Sequence, residues 1–490
     1  MPSMSNVGTN IKRMSKHTAV YGMGNILNRA ITFLLLPLYT NILTTADYGV
    51  LNLIYPFLGL MNVAFMYGMD SAFMRFFIPE KDEKRRLEIF STVYLSILAT
   101  TALLTGLLYL FEPLLARAVL GNDSHLLYLA FVILALDGLS FLPVLYYRSI
   151  NKPVNYVAIV FGEVILNLAL NILFVAFFRW GIRGVLLANI FSSAAKLVLS
   201  SPALFHNLKT LFRMPLWKDL LKFGLPTVPA VLFANIIALG DKFILRYFFD
   251  ESTVGIYAAS YKIAIIMALL VTAFRFAWHP FFLSISDQPD AKQTYSKILT
   301  LFVMVASFLF LMVAMLAPPI LTTPFFGVTI IPITYQAGLK VIPWILIANI
   351  FQGIYVNLVV GIYLEKKTHL SPLLTGIGMI VNLGTNFLLL GVFKMDFTAA
   401  GIATMLAYLA QTIAIFLVTR RFYPIRYEYE KLLLIALITA ALYLTPMVTG
   451  LHQFWFMTIL VLLYFPLLFR FNIIDREVAV AMVKRVFKRG

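Results

Sequence analysis

What most limits this chain is a recurrence. Apolar stretches of about 20 residues, each long enough to cross a bilayer as a helix, follow one another along nearly its whole length. Inside hydrocarbon every backbone N–H and C=O has to be paired within the protein, and a helix does that within each stretch. No polar interval is long enough to fold as a soluble domain, which excludes a catalytic ectodomain. Charged residues make up only 12% of the chain, against about 25% in soluble domains. The chain reads as an all-α integral membrane protein.

Charged and Gly/Pro-bearing breaks divide the apolar runs into helices expected near 18–43, 49–77, 88–111, 125–147, 154–178, 184–206, 219–245, 254–284, 296–318, 340–363, 370–393, 398–419, 431–448 and 453–469. These are 14 transmembrane helices, and an even count puts both termini on one side. The basic residues agree. Segments assigned to the cytoplasm hold 27 of the 39 Lys and Arg, and the opposite loops hold only Arg117, Arg179, Arg183, Arg246, Lys340 and Lys394. Most of the +17 net charge is thus orientation signal and attraction to anionic lipid, including the tail VKRVFKRG, and needs no nucleic acid. The leader MPSMSNVGTNIKRMSKH precedes an apolar run too long for a signal peptide and is expected to be cytoplasmic.

Cysteine is absent and the six histidines lack ligand spacing, so no metal centre is expected. No GxxxxGK[ST] motif occurs either, so an ion gradient or the membrane potential would supply energy, with H⁺ or Na⁺ as coupling ion and no cofactor.

The chain repeats itself. NLALNILFVAFF, with Asn167 and Asn171, recurs 215 residues later as NLGTNFLLLGVF, with Asn382 and Asn386, and a glycine opens the following helix in each copy (Gly184, Gly401). A second match relates LTTADYGVLNLIYPF around Gly49 to FFDESTVGIYAASYKI around Gly255, 206 residues apart. Helices 1–6 and 7–12 therefore form two parallel halves, related by an axis along the membrane normal as in many secondary transporters. The expected division is an N-lobe at 1–207, a C-lobe at 208–424, and helices 13–14 with a basic tail at 425–490. The NxxxN amides lie one turn apart on one face, suited first to interhelical hydrogen bonds and second to substrate contact.

Six cations fall inside spans, three per half: Arg29, Arg75 and Lys196, then Lys242, Lys262 and Arg275. Facing lipid they would cost about 2.5–3.5 kcal/mol each near a helix centre, so a wet cavity, an anion or a partner has to hold most of them. Arg29 sits on a polar stripe with Tyr21, Asn25, Asn28 and Thr32. Lys242 follows Asp241, so a buried ion pair competes with a cavity role; Arg75, near a helix end, can snorkel. Arg275 precedes Trp278, His279 and Pro280, where the proline predicts a kink. Pro37, Pro343 and the stretch FGLPTVPAV predict further bends, and the lone His279 reads as a packing residue. Asp70, Asp137, Glu163 and Asp241 are the intramembrane acids and the ion-coupling candidates.

The ordered set GNILNRAITFLLLPLYTNILTTADYGVLNL, DKFILRYF, VGIYAASYKI, RFAWHPFF and the paired NxxxN segments resembles the polysaccharide-transporter (O-antigen flippase) family of the multidrug/oligosaccharidyl-lipid/polysaccharide exporter superfamily, over residues 15 to 425. The resemblance implies two six-helix lobes around a cationic cavity that opens alternately to each side of the inner (cytoplasmic) membrane, with helices 13 and 14 offering a groove for a lipid tail. The implied substrate is an isoprenoid-diphosphate-linked oligosaccharide for cell-surface polysaccharide such as lipopolysaccharide O-antigen. Polymerase or assembly proteins are further partners and a monomer is expected. Its cavity cations carry over best to Arg29 and Lys242, then Arg275, with Arg75, Lys262 and Lys196 as further substrate-binding candidates. Three rivals stay open. A multidrug exporter of the same fold would concentrate acids in its cavity, a lipid II flippase is the nearest rival within the superfamily, and a membrane glycosyltransferase or polymerase would carry catalytic residues in a large outer loop. The longest such loop, 319–339, contains no acid.

Overall fold

The computed structural model describes residues 34–121, 125–209, 212–324 and 329–473, and every described element is helical. Helix α1 is described over 34–42, and α2 runs Thr45–Met66 and resumes as Met69–Phe77. Then follow α3 (Glu83–Leu110), α4 (Leu126–Ser149), α5 (Pro153–Asn171, prolonged by a π-helical turn, Ile172–Phe177) and α6 (Gly181–Asn207). The second half opens with α7, built from Met214–Gly224, Val228–Leu239 and Asp241–Phe248, and α8, built from Glu251–Ile263 and Ile265–Ser284. Helix α9 spans Ala291–Thr322, α10 Ile333–Leu364, α11 Thr368–Val392 and α12 Thr398–Thr419. Helices α13 (Tyr429–Thr449) and α14 (Phe454–Arg470) end the described chain. Among the described residues twelve helices are long and apolar enough to cross a membrane, and α14 is apolar but shorter. This is a multi-pass membrane protein.

The sequence repeat is a backbone repeat. Each NxxxN pair is followed at once by a π-helical turn, Ile172–Phe177 in α5 and Phe387–Val392 in α11. Both helices are bracketed by left-handed residues at matching places, Asn151 and Lys366 (φ 55° each) before them, Arg179 (φ 54°) and Lys394 (φ 52°) after. Gly184 and Gly401 both lie in the first turn of the next helix. The N-caps of α2 and α8 correspond as well: Thr44 accepts from the Asp47 amide and Asp250 from the Thr253 amide. The Thr253 hydrogen bonds hold the Asp250 carboxyl below the usual carboxylate range.

The halves touch through glycine. A Cβ at Gly49 would lie 1.8 Å from the Glu251 carbonyl oxygen, and one at Gly255 would lie 2.0 Å from that of Thr45, so α2 and α8 cross backbone to backbone. Thr45 and Ser252 hydroxyls meet across this crossing at 2.6 Å. At its far end α2 breaks at Tyr67 (φ 32°) and Gly68 (φ 81°), where the backbone of Gly224 in α7 comes in.

Several boundaries differ from expectation. Helix α2 is two segments, because only the Tyr67–Gly68 turn admits the α7 backbone at that point. Helix α8 runs through Pro280 without interruption and is broken instead at Ala264. The long outer loop shrinks, since Ala317–Thr322 and Ile333–Val341 are helical at its two ends. Pro343 starts an α-helical segment, where its missing N–H costs nothing, whereas Pro226 lies in a 3₁₀ turn that bends α7.

Candidate functional site

A cavity of about 360 Å³ lies between the halves. Its lining comes from α1 (Leu35, Tyr39), α2 (Asn52, Tyr55), α5 (Glu163, Val164, Asn167) and α6 (Asn189, Ser192), and from the second half Lys262 on α8 enters it. The Lys262 ammonium lies against two phenol rings, 5.6 Å from the Tyr39 centroid and 5.2 Å from that of Tyr48. Among the described residues no carboxylate comes within ion-pair distance of it.

Glu163 also borders a second cavity of about 400 Å³, with Asn62 from α2, Asp137 and Arg148 from α4, Tyr156 from α5 and Lys196 from α6. Here Lys196 Nζ donates at 2.7 Å to both Asp137 Oδ1 and Glu163 Oε1, and Ser193 Oγ donates to Asp137 Oδ1 at 2.9 Å. Two carboxylates thus share one ammonium on the walls of two cavities.

The amide pair closes the same region. Asn167 Nδ2 donates to Ser192 Oγ (3.0 Å), Asn171 Nδ2 to the Asn167 carbonyl (2.8 Å), and the Tyr39 hydroxyl to Asn171 Oδ1 (2.7 Å). Asn167 is both interhelical bond and cavity wall.

The second half is built differently. Asp241 is fully buried: it receives the Tyr257 hydroxyl (2.5 Å) and the Lys242 amide (2.9 Å), and Lys242 Nζ lies 3.4 Å away. That ammonium also lies 4.7 Å from the Tyr261 ring centroid, and Lys242 is 5% exposed. Both side chains are buried, and the Lys242 charge is balanced by its neighbour in the chain. Arg275, by contrast, is exposed and has no ion pair among the described residues. Its segment, Ile265–Ser284, packs against α9 and α10. His279 packs edge-on against Tyr363, at 4.5 Å between centroids.

Asp70 and Arg75 are exposed at the far end of α2 and do not pair with each other. Arg29 lies outside the described residues. So Lys196, Glu163 and Asp137 come together, Lys262 joins Glu163 at the first cavity, Asp241 binds Lys242, and Arg275 stands apart.

The family profile for polysaccharide biosynthesis proteins matches residues 14–286, more than half of the 490-residue chain. The chain belongs to the polysaccharide biosynthesis protein family. No curated protein matches its sequence. In fold this family member is similar to the lipid II flippase MurJ in an inward closed conformation, at TM-score 0.74 and 15% identity, covering 93% of this chain and 100% of that one. It is also similar to multidrug resistance MATE family transporters of the MOP superfamily. The inward-facing form gives TM-score 0.62 at 14% identity (80% of this chain, 94% of that one), and the outward-facing form 0.60 at 12% (84% and 95%).

The charge-led sequence reading passed over Tyr39, Asn52, Tyr55 and Asn189, which line the cavity, and Tyr48, whose ring lies against Lys262. Tyr48, Asn52 and Tyr55 fall at i, i+4 and i+7, a polar face that helical spacing makes visible.

Proposed function

We propose that the protein is a flippase that carries an isoprenoid-diphosphate-linked oligosaccharide from the cytoplasmic to the outer leaflet of the cell inner membrane by alternating access. In this reading the chain spans the membrane fourteen times with both termini cytoplasmic. Lobes 1–207 and 208–424 rock against each other, and 425–490 is appended. The observation that carries it is a pair of cations at bilayer depth, Lys262 and Arg275, without a carboxylate among the described residues to neutralise them. Charge-assisted hydrogen bonds from such cations replace the water that a diphosphate loses in hydrocarbon. Asn52, Tyr55, Asn167, Asn189 and Ser192 offer donors and acceptors suited to sugar hydroxyls. The Asp137–Lys196–Glu163 triad exchanges H⁺ or Na⁺ to reset the cycle.

A multidrug exporter of the same fold is the second reading, favoured by the two carboxylates that line the first-half cavities. Deleting the gene separates the two. Lipid-linked oligosaccharide accumulating on the cytosolic leaflet supports the flippase, whereas drug sensitivity with normal surface glycan supports the exporter.

A further inference from the structure

Lys262 and Arg275 sit on one helix, 13 residues apart, with the break at Ala264 between them. At about 1.5 Å per residue, they are separated by roughly 20 Å along α8. Lys262 enters a cavity walled by α1, α2, α5 and α6 of the first half, while the segment that carries Arg275 packs against α10 of the second half. Two side chains so far apart along a helix do not grip one diphosphate, whose charge-assisted bonds close at about 2.7–2.9 Å.

We infer that α8 carries two separate anion stations, Arg275 toward the cytoplasmic side and Lys262 toward the outer side, and that the lipid diphosphate passes from the first to the second within one cycle. This rests on the flippase reading and on the inward direction of α8 that the basic loops give. The hydrocarbon core is about 30 Å thick, so stations about 20 Å apart cover most of the headgroup's path. The two sites differ as such a sequence requires. Arg275 is exposed and open to an arriving anion. Lys262 is shielded by the Tyr39 and Tyr48 rings and surrounded by amides and hydroxyls, and the nearby Glu163 is already held by Lys196.

The test introduces a photoreactive phenylalanine analogue at Tyr355, on the α10 segment packed against that of Arg275, or at Tyr55, which lines the cavity with Lys262. The protein is reconstituted in phosphatidylethanolamine–phosphatidylglycerol vesicles, and radiolabelled polyisoprenyl diphosphate is supplied from the cytoplasmic face. Two stations predict crosslinks at both positions in the parent protein. Lys262→Gln should lower only the Tyr55 crosslink, by about tenfold or more, and Arg275→Gln should lower both. Lys262→Arg and Arg275→Lys should restore them, which separates lost charge from lost folding. Equal loss of both crosslinks in each Gln variant means one shared seat and overturns the inference. So does a parent protein that flips the lipid yet crosslinks at neither position, an outcome that leaves the flippase reading standing. A parent protein that does not flip the lipid overturns that reading itself.

Discussion

Helices α5 and α11 follow the same backbone design and have opposite chemistry. Both carry NxxxN, both pass straight into a π-helical turn, and left-handed residues bracket both at positions 215 apart. In α5 the amides are satisfied across helices, by Ser192 and by the Tyr39 hydroxyl, and they border a polar cavity. In α11 the Asn386 Nδ2 returns to the Asn382 carbonyl, while Asn382 Nδ2 and Asn386 Oδ1, both buried, have no partner among the described residues. The 206-residue offset supplies the reason: the place of Tyr39 is taken by Leu245. The acids diverge likewise, Glu163 shared and cavity-facing, Asp241 sealed with Lys242. The repeat keeps its caps and π-helical turns because backbone geometry tolerates little change, whereas side chains on the inner faces are free to leave one acid at a cavity and bury the other.

The largest effect expected from this contrast is at Asp241. Asp241→Ala strands Lys242 in a buried site and should cost about 3–5 kcal/mol of stability. Glu163→Ala leaves Lys196 paired with Asp137 beside a cavity and should cost far less. Thermal unfolding in detergent compares the two, and equal losses would erase the distinction between a cavity-facing acid and a sealed one. Next comes the crossing where the halves are alike. Gly49→Ala and Gly255→Ala each push a methyl into a facing carbonyl and should cost about 1–3 kcal/mol of closure. Because the chain has no cysteine, a lone Asn52→Cys is a clean reporter. Its labelling by an impermeant maleimide from outside should rise to a similar extent in both variants, and a rise in only one would break the pseudo-symmetry. The smallest effect is at Tyr39→Phe, which makes the first half resemble the second. Losing one interhelical hydrogen bond should lower stability by about 0.6 kcal/mol, measured by the same thermal unfolding.

Much of this was legible in the residues. Apolar run length located the helices and the asparagine fingerprint located the repeat, because both follow from local chain chemistry. The breaks at Tyr67–Gly68 and Ala264 were not legible, and the first of these depends on another helix's backbone arriving there. Among the site residues, the sequence offered the charges but not their partners. Lys242 and Asp241 are neighbours in the chain, and their pairing was readable as one of two outcomes. Lys196 meets Asp137 and Glu163 only because α4, α5 and α6 pack together. Lys262 ranked low in the sequence because nothing near it in the chain marks it. Its setting comes from Tyr39 and Tyr48, more than 200 residues away.

The most direct measurement is the rate at which the purified protein, reconstituted in phosphatidylethanolamine–phosphatidylglycerol vesicles, turns over a polyisoprenyl diphosphate-linked oligosaccharide between leaflets. The account predicts turnover by the parent protein, loss of most of it in Lys262→Gln, and recovery in Lys262→Arg. Undiminished turnover by a well-folded Lys262→Gln protein would contradict it.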